Sequence, residues 1–381
     1  MIQFGSRAAG ALFVLTIGVV LSSQAAELPM RVVTIDANPP ENPWAKIAGD
    51  FNGDGFPDVA IGGSKGPLVW YEYPSWKKTL VAAGGYSTVE GEAADIDGDG
   101  DQDIVMGGIL WYENPGPEGK PQQGPWTAHR VAEVPTHDVE IGDLDGDGRL
   151  DLVTRNQSAF SHPSGDRFHV WLQTATGEWT HRKVDCPHGE GIQVADLDRD
   201  GDLDVVIPAR WYENSGDPLA GPWPEHVYAP AWEHRDAEVQ TGDLNGDGRL
   251  DIVLSPAELA DGRYRMSWFE APEKTAGQGW REHVIESDVE TVRHALGVAD
   301  LDNDGELDIV TAEMHQGADP DEVILFRNVS GGKQWTRQVI STRGSHDIVL
   351  TDIGADGDID IVGANHGGPD QSVLLWENLL R

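Results

Sequence analysis

Cysteine is all but missing. Cys186 is the only one in 381 residues, so no intrachain disulfide can staple the fold. Basic residues are scarce too: 27 Lys and Arg stand against 65 Asp and Glu, a formal charge of -38. That balance excludes the basic footprint that nucleic-acid phosphates require, and it argues equally against an anionic membrane surface. No stretch sustains a helical period of apolar residues. The one sizeable apolar run, Ala8 to Leu21, is too short and wrongly flanked for a transmembrane anchor. With Arg7 before it and Ser23-Gln24-Ala25 after it, residues 1–25 read as a secretory signal peptide. Residues 26–381 are then an exported chain, secreted or periplasmic, with no membrane insertion after cleavage.

What the chain has in abundance is one acidic phrase. The pattern D-x-D-x-D-G-x-x-D occurs seven times, beginning at Asp50, Asp95, Asp143, Asp196, Asp243, Asp300 and Asp352, at spacings of 45, 48, 53, 47, 57 and 52 residues. Positions 1, 3 and 5 set oxygen ligands on one side of a tight loop, a Gly at position 6 permits the turn, and a carboxylate at 9 completes a shell suited to Ca2+. The expected ligands are Asp50, Asn52, Asp54 and Asp58 in the first loop, then Asp95, Asp97, Asp99 and Asp103 in the second. Asp143, Asp145, Asp147 and Asp151 follow in the third, and Asp196, Asp198, Asp200 and Asp204 in the fourth. The fifth offers Asp243, Asn245, Asp247 and Asp251, the sixth Asp300, Asp302, Asp304 and Asp308. The seventh has only Asp352, Asp356 and Asp360, because Gly354 holds position 3. These loops contain 29 of the 65 acidic residues, so much of the chain's acidity is metal-site acidity. Seven Ca2+ ions would be the staple that cysteine does not supply.

Each period has the same parts: a segment running into the Asp loop, a short apolar strand, an aromatic strand such as Leu110-Trp111-Tyr112-Glu113-Asn114, and a last strand opened by Trp and closed by Val, such as Trp126 to Val131. Four short strands repeated seven times predict an all-β fold, a single seven-bladed β-propeller of four-stranded blades. Arg31-Val32-Val33-Thr34-Ile35 looks like a fourth strand yet precedes the first loop, and the chain ends just after the seventh aromatic strand. The N-terminal strand is therefore expected to complete the last blade and close the ring.

The repeated Asp-x-Asp-x-Asp-Gly-x-x-Asp units followed by an apolar strand resemble the FG-GAP/VCBS repeat family, Ca2+-binding propeller blades like those of integrin α-chains and many secreted bacterial proteins. The resemblance extends over residues 31–381. It implies a Ca2+-binding propeller and leaves the activity open. Rhamnogalacturonan lyases and the propeller part of aldos-2-ulose dehydratase share this architecture, but no enzyme-specific motif of either is matched, and no catalytic residue is carried over.

Chemistry is expected on the face opposite the Asp loops. His137, His294 and His346 each stand six residues before a first loop Asp, a place taken by Trp44 and Glu190 in other units. His188 and His234 lie on similar entries, and Arg155, Asn156, Arg210, Glu258, Glu313, His315, Asn365 and His366 on the exits of the second strand. A ring closes these rims around one axis, forming a concave polar pocket. His137, His188, His294, His315, His346, Arg155 and Arg210 are the candidate catalytic set, with imidazoles as bases or as ligands of a second divalent metal such as Zn2+ or Mn2+. Trp44, Trp232, Glu313 and His366 are the candidate substrate contacts, the two off-template indoles suiting sugar rings. His129, His181, His226 and His283 recur with the template and read as packing. Glu92, Glu140, Gln193 and Gln240 form a further polar column three residues before their loops. Two functions stay open. One is a carbohydrate-active lyase or dehydratase working by β-elimination; the other is a non-catalytic scaffold for a glycan or a protein partner.

Overall fold

The computed structural model describes residues 26–64, 66–86, 88–157, 165–258 and 262–380; the expected signal peptide lies outside them. The second strand of every period is buried along its whole length, from Asp58–Gly63 to Asp360–Ala364. That is why it reads as a short apolar run without alternation: it is sandwiched between neighbouring sheets on both faces. The fourth strands are mostly exposed and carry the charged residues.

Seven antiparallel sheets of four strands result, six in simple up-and-down order and the seventh completed by an N-terminal strand, which is a seven-bladed β-propeller. In blade one the strands are Pro43–Gly49, Asp58–Gly63, Leu68–Glu72 and Lys77–Ala82. The innermost strands of the other blades are Gly91–Ala94, Asp138–Gly142, Gln193–Ala195, Ala237–Gly242, Ala295–Ala299 and Asp347–Thr351. Each innermost strand packs beside the next, and that of blade seven packs beside that of blade one, so the ring is closed. Closure is made by Met30–Asp36, which pairs antiparallel with Val373–Asn378 as the outer strand of blade seven, in the register Arg31 opposite Glu377 and Val32 opposite Trp376. Just ahead of it, the backbone of Leu28 exchanges two hydrogen bonds of 2.8 Å with the Gln338 side chain of blade six.

Aromatic wedges fill the gaps between blades. Trp70, Trp211, Trp268 and Trp376 are fully buried, and each lies on a third strand. The template histidines do pack: His129, His226 and His283 stack on Trp111, Trp211 and Trp268 at centroid distances of 4.2, 4.3 and 4.2 Å. Their outer nitrogens meet Glu113, Glu213 and Glu270 at 2.6, 2.8 and 2.8 Å. The polar column three residues before the loops is a clamp between inner strands. Glu140 accepts from the backbone N–H of Val194 at 3.4 Å, and Gln193 from that of Thr241 at 2.7 Å, each on the next blade.

Candidate functional site

The Asp loops join first and second strands on one face of the disc. In all seven, the position-one carboxylate accepts backbone N–H groups from positions 5 and 6, as Asp95 does from Asp99 and Gly100 at 3.0 Å each. Position 4 lies in the left-handed region throughout, with Gly in four loops and Arg199, Asn303 and Ala355 in the others. The sequence pattern gave that position no role, because three of its occupants are not glycine. Position 9 proves to be a latch. Asp103 accepts from Ile96 N–H at 3.0 Å and Asn114 N–H at 2.8 Å, and Asp204 and Asp308 repeat this with their own loops and third strands. Carboxylate oxygens at positions 1, 3 and 5 of loops two and six, and at 1, 3 and 9 of loops three and four, lie within 4.8 Å of one another. These donor sets fit a hard cation of Ca2+ size. In loops three and five, Arg149 and Arg249 at position 7 reach back to Asp147 and Asp247 and also donate to a third-strand carbonyl.

On the opposite face, the entries to the first strands and the exits of the second strands converge on the axis. His137 and His294 stand 5.7 Å apart by ring centroids, and His294 stacks on His346 at 4.1 Å. His346 meets His366 edge-on at 4.4 Å, and His366 meets His315 at 4.6 Å. Trp44 from blade one lies 6.4 Å from His346 and 6.0 Å from His366. Five imidazoles and one indole from blades one, three, six and seven thus form one continuous cluster. It is layered: His137, His294 and His346 are buried at its floor, while Trp44, His315 and His366 are half-buried at its mouth.

Carboxylates complete the floor. His137, Glu190, Glu258 and His294 place one ligand atom each within 4.8 Å of one another. His294 Nε2 lies 3.0 Å from Glu258 Oε1, and its Nδ1 lies 3.5 Å from Glu238 Oε1. His137 directs Nδ1 to the Asp138 carboxylate. Burial alone would lower His294, but Glu238 and Glu258 outweigh it and hold this imidazole up to about 9. Burial, then the charges of Glu258 and Glu238, push Glu190 well above the usual carboxylate range. Burial and the neighbouring His294 and Lys46 hold His346 well below the usual imidazole range. Burial also lowers the Lys46 ammonium to about 8, against the pull of Asp347.

The other sequence candidates fall elsewhere. Arg155 is buried and donates to the carbonyls of Pro187, Glu190 and Gly191 at 2.8, 3.0 and 2.9 Å. It is thus a strut holding the loop that carries Glu190. Arg210 points outward to Glu225 at 3.2 Å, and His188 is exposed. Neither joins the cluster. Trp232, expected at a sugar site, is buried in the apolar core against Tyr264 and Phe269 and donates to the His234 carbonyl, so it plugs blade five. Glu313 is drawn aside by Arg293 at 3.4 Å and the Glu322 N–H at 3.0 Å. The acidic column five residues before the loops (Glu90, Asp138, Glu238 and Asp347) was the missed signal. It recurs in four of the seven units, in phase with the rim histidines one residue earlier.

Two cavities flank the cluster on this face. One of about 520 Å³ is lined by Tyr86, Arg130, Thr136 and Asn156, beside His137. The other, about 350 Å³, is lined by His315, Asp321, Arg343, Asn365 and Asp370. The second opens directly on the mouth of the cluster and has the size of a small-ligand pocket.

Residues 50–106, 95–154 and 143–207 match the family model for the FG-GAP-like repeat. No curated protein matches the chain. Solved structures with the same fold include rhamnogalacturonan lyase YesW, at 11% identity and a TM-score of 0.51, covering 91% of this chain and 76% of that one. The V. cholerae biofilm matrix protein Bap1 matches at 10% identity and a TM-score of 0.50, covering 93% and 91%. BBS1N, solved in complex with ARL6DN, matches at 10% identity and a TM-score of 0.56, covering 93% and 98%. At such identities the likeness is one of fold. The chain is a seven-bladed β-propeller whose residues 50–207 match FG-GAP-like repeats.

Proposed function

We propose that this protein is a carbohydrate-active propeller of the lyase or dehydratase type, stiffened by Ca2+ in the Asp loops and working at the axial cluster on the opposite face. The observation that carries this is the convergence of His137, His294, His315, His346, His366 and Trp44 from four blades. Histidines placed only by loop chance would scatter and face outward. The fold neighbour that is a rhamnogalacturonan lyase is consistent with such a use of the architecture.

In this reading a sugar ring lies in the cavity lined by His315 and Arg343, where His315 leads through His366 to the half-buried Trp44. Neutral His315 or His366 takes the proton α to the sugar's carboxylate or carbonyl. The C–H electron pair becomes a carbon–carbon double bond as the β C–O bond breaks, and the departing oxygen takes up a proton. Arg343, held at 2.7 Å by Asp370 on the cavity wall, is the cation placed to face the substrate's acid group. The test is to incubate the purified protein with a panel of uronic-acid polysaccharides and ketosugars and follow new ultraviolet absorbance. Growth of an unsaturated product that His366→Ala abolishes supports the proposal. Silence across the panel, with glycans still bound, would make the chain a binding scaffold.

A further inference from the structure

We infer that His137, Glu190, Glu258 and His294 form a transition-metal site, distinct from the Asp loops, that holds one divalent ion such as Zn2+ or Mn2+ at the axial floor. This goes beyond the proposed activity and does not depend on any sugar being processed. The geometry comes first. The four ligand atoms already lie within 4.8 Å of one another. Bonds of about 2.0–2.2 Å to imidazole nitrogen and carboxylate oxygen need only small side-chain adjustments to close around an ion.

The second argument is an unmet need. Glu190 is 0% exposed, and neither of its carboxylate oxygens has a hydrogen-bond partner among the described residues. Both ring nitrogens of His294, 3% exposed, likewise lack an aligned partner among the described residues despite the nearby carboxylates. A buried carboxylate without a partner is costly, and proteins bury such groups beside cations. Two neutral imidazoles and two carboxylates balance one divalent ion with no residual charge.

The supporting residues have the arrangement that metal ligands require. The Asp138 carboxylate takes the Nδ1 side of His137, fixing the ring so that Nε2 is left for the cluster. Asp138 also accepts from the Gly191 N–H at 2.9 Å, tying blade three to the Glu190 loop. Arg155 braces that loop through three carbonyls. Glu258 is presented by a left-handed backbone at φ 73°, directly after the second strand of blade five. Two nitrogen and two oxygen donors, with no thiolate, suit a first-row ion better than Ca2+, whose ligands are oxygens alone.

The test keeps Ca2+ saturating, so that the Asp loops are not in question, and titrates the full-length mature protein with ZnCl2 and then MnCl2 by calorimetry. One equivalent per chain is expected, together with a rise in melting temperature. Glu190→Gln and His137→Gln should each weaken that binding at least tenfold, and His188→Ala, at an exposed histidine, should not. Co2+ substitution should give a visible ligand-field spectrum without a thiolate band, which Glu190→Gln removes. The inference is overturned by no stoichiometric binding to the wild type, by unchanged affinity in both cluster variants, or by loss of the equivalent in His188→Ala. If one cluster variant does not fold, the wild-type stoichiometry and the other variant still decide.

Discussion

His366 and Trp211 illustrate how differently two ring side chains serve this molecule. His366 sits at the mouth of the axial cluster, half-buried, with no part in the cores between blades. His366→Ala and His315→Ala are expected to abolish turnover or weaken ligand binding while moving the melting temperature by no more than about 1–2 °C. Trp211 is 0% exposed, and Trp211→Ala should cost roughly 3–5 kcal/mol, seen in chemical denaturation. Equal unfolding of both kinds of variant would reduce the histidines to structural pegs. His137, His294 and His346 are harder to use in this way, because the structure leaves only 6%, 3% and 3% of them exposed. The sequence placed all three at loop entries converging on one axis, where low burial is the rule; what it could not show is how deeply that convergence buries them. A separate residue, His169, makes a pH prediction far from any candidate ligand. Burial, then the charges of His181 and Lys183, lower it to about 4 from an ordinary 6.5. The unfolded chain therefore binds the extra proton first, so His169 favours folding above about pH 6.5 and its contribution is lost as pH falls toward 4. The melting temperature of wild type should drop faster than that of His169→Gln across this window; parallel curves would contradict it.

At the scale of elements, the unit that repeats is the blade, and its boundaries were legible because the Asp phrase and the Trp-bearing strands recur in fixed order. The joints between blades were not. Asn114, Asn214, Asn328 and Asn378 stand at or just past the ends of their third strands, and each is almost fully buried. Each side-chain amide donates to a carbonyl in the preceding blade, as Asn214 does to Leu144 at 2.9 Å and Asn378 to Leu301 at 2.8 Å. The Asn after each aromatic strand was visible in sequence, but a partner 70 or 77 residues away was not. Asn214→Ala removes the donor to the Leu144 and Leu203 carbonyls, the first of them buried, and should cost about 1–3 kcal/mol. Closure by the first strand is the other joint. Removing residues 26–36 would strip Val373–Asn378 of its outer neighbour and of the Arg31–Glu377 pairing. An unpaired edge flanked by apolar side chains invites aggregation. Light scattering and limited proteolysis near the C-terminal end should report it, and a monomeric shortened chain of unchanged stability would refute closure by this strand.

For the whole molecule, the governing quantity is charge. At -38 the ring carries far more acid than base, and 29 of its acidic residues crowd into seven loops on one face. Seven divalent ions would cancel 14 of those charges. Because an ion that binds the folded chain alone stabilises it by mass action, each filled loop contributes about 2.7 kcal/mol when free Ca2+ is a hundredfold above its Kd. Excess chelator should therefore lower the melting temperature by well over 10 °C, and the loops should not contribute equally. Loop two has five carboxylates and no arginine, with Asp95, Asp97 and Asp99 held close together. Loop three already has Arg149 against Asp147, a built-in cation that partly relieves the repulsion. Loop seven lacks a ligand at position 3, where Gly354 stands. Asp99→Ala should accordingly reduce the Ca2+-induced gain in melting temperature more than Asp147→Ala, and Asp147→Ala more than Asp356→Ala. Calorimetric melting with and without Ca2+ measures all three. A melting curve that chelator leaves in place would remove the cation from the account, and the position-nine latches and interblade amides would then be what holds the acidic face together.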